Sequence, residues 1–152
     1  MTAKEYLSQV YEIDRQINLI LAKVDKLRNS LYGKGQKLDD TGGGKFSGNG
    51  DVLGDTITLI IDYENKANNL INKLIRSRID IEKVIQLMPD PAQREVLERR
   101  YLLFQPWESY FDTKTGEKII GIDEAMHYSS RQIYRIHGKA LMWVSVNVSE
   151  CQ

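Results

Sequence analysis

Apolar side chains recur at alternating spacings of three and four in two stretches of the chain's first half. Ala3, Tyr6, Val10, Ile13, Ile17, Ile20, Val24, Leu27 and Leu31 keep this rhythm without a break, which is the seam of a coiled coil. The pattern predicts one helix from about Thr2 to Leu31, ended by Gly33. It returns in Ile60, Tyr63, Ala67, Leu70, Leu74, Ser77, Ile81, Val84 and Met88, with Asp55 as the N-cap of a second helix. Ile57, Ile61, Ile71, Ile75 and Ile85 widen that stripe, as in a helix that touches more than one neighbour. Two helices alone would leave them in water.

Between the two stretches the pattern vanishes. Eight of the eleven glycines fall between Gly33 and Gly54, a run that loses much backbone entropy on ordering and gains little from burial. It is expected to be a flexible connector. A phosphate loop fits poorly, because the fixed glycine, lysine and hydroxyl spacing is missing. The simplest arrangement is an antiparallel helical hairpin. A connector this long also allows the first helix to pair with that of another copy, so self-association is expected with number and direction open.

Pro89-Asp90-Pro91 breaks the second helix and starts a third, with Asp90 as N-cap, Pro91 at the first helical position and Gln93 completing a capping-box pattern. This helix runs to about Leu103. From Trp107 to Ile120 the period changes to a short hairpin with Gly116 in the left-handed turn position, its aromatics expected against helices. Ile122 to Met126 is a short helical segment, and His127-Tyr128 a tight turn. Ser129 then caps a helix from Ser130 to about Val144, with Gln132 as reciprocal partner. That is helix-turn-helix spacing. The expected fold is mainly all-α: a long antiparallel helical hairpin or coiled coil over 1–88, with its linker at 33–54, then a helix-turn-helix domain over 89–152 carrying an inserted hairpin at 107–120.

The charge balance makes this last helix the centre of interest. The 152 residues carry 21 basic and 21 acidic side chains, so nucleic-acid contact requires a local patch. Between Tyr128 and Val144 there are three Arg or Lys residues and no Asp or Glu. Projected at 100° per residue, Arg131, Arg135 and Lys139 lie on one face, with Ile133, Ile136, Ala140 and Val144 opposite. In a reading helix the N-terminal residues approach base edges and later basic residues hold phosphates. Ser130, Arg131, Gln132 and Arg135 are therefore candidates for the groove, because Arg reads guanine and Gln reads adenine in bidentate fashion. Lys139 and His137 are candidates for backbone oxygens. Arg99, Arg100, Lys114 and Lys118 are either further phosphate contacts or ordinary solvated surface.

The sequence suggests no other chemistry. His127, His137 and Cys151 lack zinc-ligand spacing, and Asp39, Asp40 and Asp51 lack the order of a calcium loop. No nucleophile stands with a base and an orienting group. No catalytic residue, metal or cofactor is expected. The first residues lack a signal peptide's apolar centre, no apolar run spans a membrane, and the lone cysteine suits a reducing compartment. A cytoplasmic protein without membrane contact is expected.

Met1-Thr2-Ala3-Lys4-Glu5-Tyr6-Leu7, the glycine-rich connector, Asp90-Pro91, Leu97-Glu98-Arg99-Arg100-Tyr101-Leu102, Trp107-Glu108 and above all the run from His127 to Leu141 resemble a family of small bacteriophage and prophage proteins from Gram-positive bacteria. The C-terminal part of that family is similar to region 4 of sigma-70-type factors and to phage late-gene regulators of the ArpU and RinA type. The resemblance implies a DNA-binding transcription regulator whose reading helix starts at Ser129. It also implies a small-domain core of Leu97, Tyr101, Met126, Ile133, Ile136, Ala140 and Leu141. Trp107 and Met126 lie about twelve residues further apart than in the family, and Asp123 stands where a small residue is usual. The inserted ribbon is expected either to form a wing beside DNA or to block the groove.

The leading expectation is thus a sequence-specific binder of double-stranded DNA in phage or prophage transcription, with the helical hairpin either making a homo-oligomer or engaging bacterial RNA polymerase. The alternatives are a DNA-packaging recognition subunit resembling small terminase proteins, and a coiled-coil interaction module without DNA binding.

Overall fold

A computed structural model describes residues 1–34 and 49–149. In chain order the elements are α1 (Ala3–Lys34), α2 (Asn49–Gln86), α3 (Pro91–Leu97), a π-helical turn (Glu98–Leu102), β1 (Tyr110–Phe111), β2 (Lys118–Ile119), α4 (Ile122–Met126) and α5 (Ser130–Asn147). The fold is all-α with one small antiparallel hairpin, and its two long helices pack in hairpin-like fashion, as the apolar rhythm predicts.

Both long helices exceed their expected ends. α1 continues through Gly33 to Lys34, and α2 is already helical at Asn49, so Asp55 sits inside α2 and is not its N-cap. Once a helix is nucleated, each further residue adds a backbone hydrogen bond, which outweighs the cost of about 1 kcal/mol per glycine. Thr56 and Thr58 also donate their hydroxyls back to the Val52 and Gly54 carbonyls at 2.7 and 3.0 Å. The central part of the expected connector, 35–48, lies outside the described residues. At the other end of α1, Thr2 and Glu5 form a reciprocal cap. The Thr2 N–H donates to Glu5 Oε2 at 2.7 Å and the Glu5 N–H to Thr2 Oγ1 at 3.2 Å.

The described residues form two compact units, 13–73 and 1–12 together with 74–149. In the first, Ile13, Ile17, Ile20 and Val24 of α1 and Ile60 and Ala67 of α2 are buried. Arg28 pairs with Glu64, and the Lys23 ammonium lies 5.6 Å from the centre of the Tyr63 ring.

In the second unit, Tyr6, Leu7 and Val10 of α1 share one core with Ile81, Ile85 and Met88 of α2, Leu97 and Tyr101, and Ala140, Val144 and Val148. The division expected at 88/89 therefore cuts through a continuous core. Leu7 lies off the coiled-coil seam, yet it is fully buried because the start of α1 has more than one neighbour. A smaller cluster of Val96, Ile122 and Ile133 joins α3, α4 and α5, with Trp107, Met126 and Ile136 packed against it. This three-helix junction is compatible with a helix-turn-helix-like arrangement.

The caps of α3 follow expectation with one difference. Asp90 Oδ1 accepts the Ala92 N–H at 2.9 Å, but the Gln93 amide donates to the Asp90 side chain rather than accepting from its backbone.

The inserted ribbon is tied off at its base. The Pro106 and Trp107 carbonyls accept the Ile122 and Asp123 N–H groups at 2.9 and 3.2 Å, supplying partners that the first turn of α4 otherwise lacks. The Gln105 amide donates to the Ile120 carbonyl at 3.0 Å, and the Gly121 N–H donates to Ser109 Oγ at 2.8 Å. A Cβ on Gly121 would lie 2.3 Å from the Glu108 carbonyl carbon and 2.4 Å from the Ser109 nitrogen. Only glycine permits the two ends of the insertion to meet so closely. Tyr110 pairs with Ile119 and Phe111 with Lys118, and Gly116 takes φ +73° as expected. Tyr110 and Phe111 are exposed, so of the aromatics expected to anchor the ribbon only Trp107 packs among helices.

Candidate nucleic-acid interface

The start of α5 is fixed by local chemistry. His127 adopts a left-handed conformation (φ 56°) that ends α4, and the Tyr128 N–H reaches back to the Asp123 carbonyl at 3.0 Å. Ser129 Oγ accepts the Gln132 N–H at 3.3 Å while Gln132 Oε1 accepts the Ser129 N–H at 3.0 Å, the capping box that the sequence predicts. Ile133, Ala140 and Val144 are buried, which fixes which side of α5 faces outward.

Arg131, Arg135 and Lys139 are exposed on that outward side, and among the described residues no acidic side chain pairs with them. The ribbon covers none of the three. Ser130 is half-buried at the first position of the helix. Gly138 lies on the same outward face, and a Cβ there would meet nothing within 4 Å.

Two candidates have other duties. Bidentate reading of adenine by Gln132 requires its Oε1, which the cap at Ser129 already uses. His137 is not a free phosphate ligand: its Nε2 shares a hydrogen bond of 2.9 Å with the Tyr101 hydroxyl. Its ring lies edge-on to Trp107 at 4.7 Å and stacked with Tyr101 at 5.9 Å. Burial, with Lys4 and Arg100 nearby, lowers its pKa to about 4, so the ring is neutral at pH 7.

This aromatic seat extends through Trp107 to Tyr134, whose rings lie 5.3 Å apart, and the Arg100 guanidinium sits 4.8 Å from the centre of the Trp107 ring. By position along the chain Trp107 belongs to the ribbon and His137 to the outer face of α5. Their closeness depends on how the insertion folds back, which no spacing along the chain records.

The four accessory cations also separate. Arg99 is held by Glu95 at 2.8 Å and by the Gln105 side chain at 3.2 Å. Arg100 donates to the Gln105 carbonyl at 3.1 Å, and Lys118 pairs with Glu124 at 2.7 Å, tying the ribbon to α4. Lys114 is exposed near the ribbon's tip. Of the implied small-domain core, Leu97, Tyr101, Ile133 and Ala140 are buried, whereas Met126, Ile136 and Leu141 are half-buried. Among the described residues no three His, Cys, Asp or Glu side chains gather as a metal site, and no helix is long and apolar enough to cross a membrane. Cys151 lies outside the described residues.

Compared with known proteins, the chain matches no protein-family model, no curated protein and no solved structure.

Proposed function

We propose that the chain binds double-stranded DNA sequence-specifically and regulates phage or prophage transcription, with α5 as its reading helix. The observation that carries this reading is the outward face of α5. Arg131, Arg135 and Lys139 are exposed there with no acidic neighbour on the helix, while Ile133, Ala140 and Val144 seal the other side. Arg131 and Arg135 enter the major groove, Ser130 approaches from the helix start, and Lys139 holds a phosphate. Gln132 acts through the cap that positions Arg131, and His137 acts by anchoring α5.

Gly138 supports the same reading. An exposed glycine inside a helix costs about 1 kcal/mol relative to alanine, and the fold offers no steric reason for it. Its bare backbone lets DNA approach closely beside the arginines. The tied-off ribbon stands as a wing, with Lys114 near its tip. The chain works as a homo-oligomer in the cytoplasm of a bacterial host. RNA polymerase is the protein partner implied by the resemblance to sigma region 4.

The test is the salt dependence of binding to duplex DNA. Phosphate neutralisation makes the logarithm of affinity fall linearly with the logarithm of salt, by about 0.9 per neutralised phosphate. Removing a phosphate contact by Lys139→Ala lowers that slope by about one, while Arg131→Ala weakens the preferred sequence more than others. Affinity indifferent to salt refutes the proposal.

A further inference from the structure

Within the second unit, a cavity of about 230 Å³ lies where the start of α1, the π-helical turn and the inserted ribbon meet. Its walls are mostly rings: Tyr11 from α1, Phe104 and Pro106 from the segment after the turn, and Tyr110 from β1. Arg100 is the one charged residue that lines it.

Two irregularities of the backbone converge on this cavity. Arg100 and Tyr101 lie on the π-helical turn, a rare form that recurs at functional sites. Phe104 follows at φ 55°, in the left-handed region, and the next N–H, of Gln105, returns to the Arg99 carbonyl at 2.9 Å. Glycine takes such a helix-ending position without strain, whereas a bulky residue does not. The strained conformation sets the Phe104 ring in the cavity wall, edge-on to Tyr11 at 5.4 Å. Strain of this kind clusters where a ligand is held.

The charge is fixed in advance as well. The Arg100 guanidinium lies 4.8 Å from the centre of the Trp107 ring and donates to the Gln105 carbonyl at 3.1 Å. Among the described residues no carboxylate pairs with it, and none lines the cavity. Lys4, exposed one turn before Ser8 on the same face of α1, adds positive charge nearby. A held guanidinium beside aromatic walls suits a flat ring that carries an anion. The carboxylate takes the remaining N–H donors of Arg100, and the ring packs against Tyr11, Phe104 and Tyr110. Drug-sized pockets occupy roughly 300–1,000 Å³, so this smaller one admits a single ring with a short acidic arm.

We infer that this cavity binds a small aromatic carboxylate, seated on Arg100 among the Tyr11, Phe104 and Tyr110 rings. The ligand also rests against the seat of α5, because Tyr101 lines the cavity and its hydroxyl shares a hydrogen bond with His137. The inference does not depend on DNA reading.

The experiment titrates the full chain, without DNA, with benzoate and phenylacetate by calorimetry or protein-observed NMR. Both bind with dissociation constants of about 1 mM or lower. Benzyl alcohol keeps the ring without the charge and binds about tenfold more weakly. Cyclohexanecarboxylate keeps the charge without the flat ring and binds about threefold more weakly. These comparisons need no variant. Arg100→Gln, which retains a donor for the Gln105 carbonyl, loses about tenfold in benzoate affinity and nothing in benzyl alcohol affinity. Phe104→Gly suits the left-handed backbone, keeps the helical circular dichroism and weakens both carboxylates. Arg131→Ala/Arg135→Ala binds benzoate as the wild type does, which separates this inference from the DNA proposal. No saturable binding of either carboxylate up to about 10 mM, equal affinity for benzyl alcohol and benzoate, or a folded Arg100→Gln chain with unchanged benzoate affinity overturns the inference.

Discussion

Acid is expected to loosen α5 through one side chain. His137 has a pKa of about 4 in the folded protein against 6.5 for a free imidazole, chiefly because the ring is buried, with Lys4 and Arg100 adding repulsion. The unfolded chain therefore binds the proton more tightly, so stability is complete above pH 6.5 and is lost as the pH falls towards 4. The interval corresponds to at most about 3 kcal/mol. The ring is partly open to water, and screening there reduces the figure to about 2 kcal/mol. His137→Gln keeps a hydrogen-bonding group beside Tyr101 and removes the titration. Thermal or urea unfolding of both proteins at pH 7, 5.5 and 4 isolates the effect from other carboxyl and histidine titrations. Between pH 7 and 4 the wild type loses about 2 kcal/mol more than the variant, roughly 4–8 °C in Tm for a chain of this length. Parallel pH profiles refute the reasoning. An affinity for DNA that rises from pH 7 to 6 in the wild type alone returns His137 to the interface.

Gly121→Ala places a Cβ against the Glu108 and Ser109 backbone, and its expected cost is about 3 kcal/mol or more by urea denaturation. Gly138→Ala acts in opposite directions on two readouts: unfolding shows a gain of about 1 kcal/mol, while DNA affinity falls because the methyl group intrudes on the reading face. Ser129→Ala removes the cap of α5 and costs about 1 kcal/mol. Gln132→Ala costs a comparable or smaller amount and leaves base preference at the Arg131 and Arg135 contacts unchanged.

Local chemistry made much of the fold legible. The capping box of Ser129 and Gln132, the Asp90 cap, the turn at Gly116 and the two helical seams each depend on residues a few positions apart, and each is present. Of the extra isoleucines on α2, expected to widen its buried stripe, only Ile85 is buried, among α1 and α5 residues, whereas Ile57, Ile61, Ile71 and Ile75 are exposed. The misreadings share a different cause. Gly33 and Asp55 resemble helix boundaries, yet helix propagation overrides a single glycine or cap residue. The core uniting Leu7, Ile85 and Val144 joins distant parts of the chain. For the candidate site, the outward arginines followed from helix periodicity alone. The withdrawal of His137 into the Tyr101–Trp107 seat, and of Arg99, Arg100 and Lys118 into local pairs, depended on how the inserted segment folds.

The central claim is that Arg131 and Arg135 on the outer face of α5 read DNA sequence. Selection of bound fragments from sheared host and phage DNA, performed in parallel with the wild type and Arg131→Ala/Arg135→Ala, tests it directly. A shared sequence motif enriched by the wild type and lost by the variant is the predicted result. No enrichment by the wild type, or the same motif recovered with both arginines removed, contradicts it.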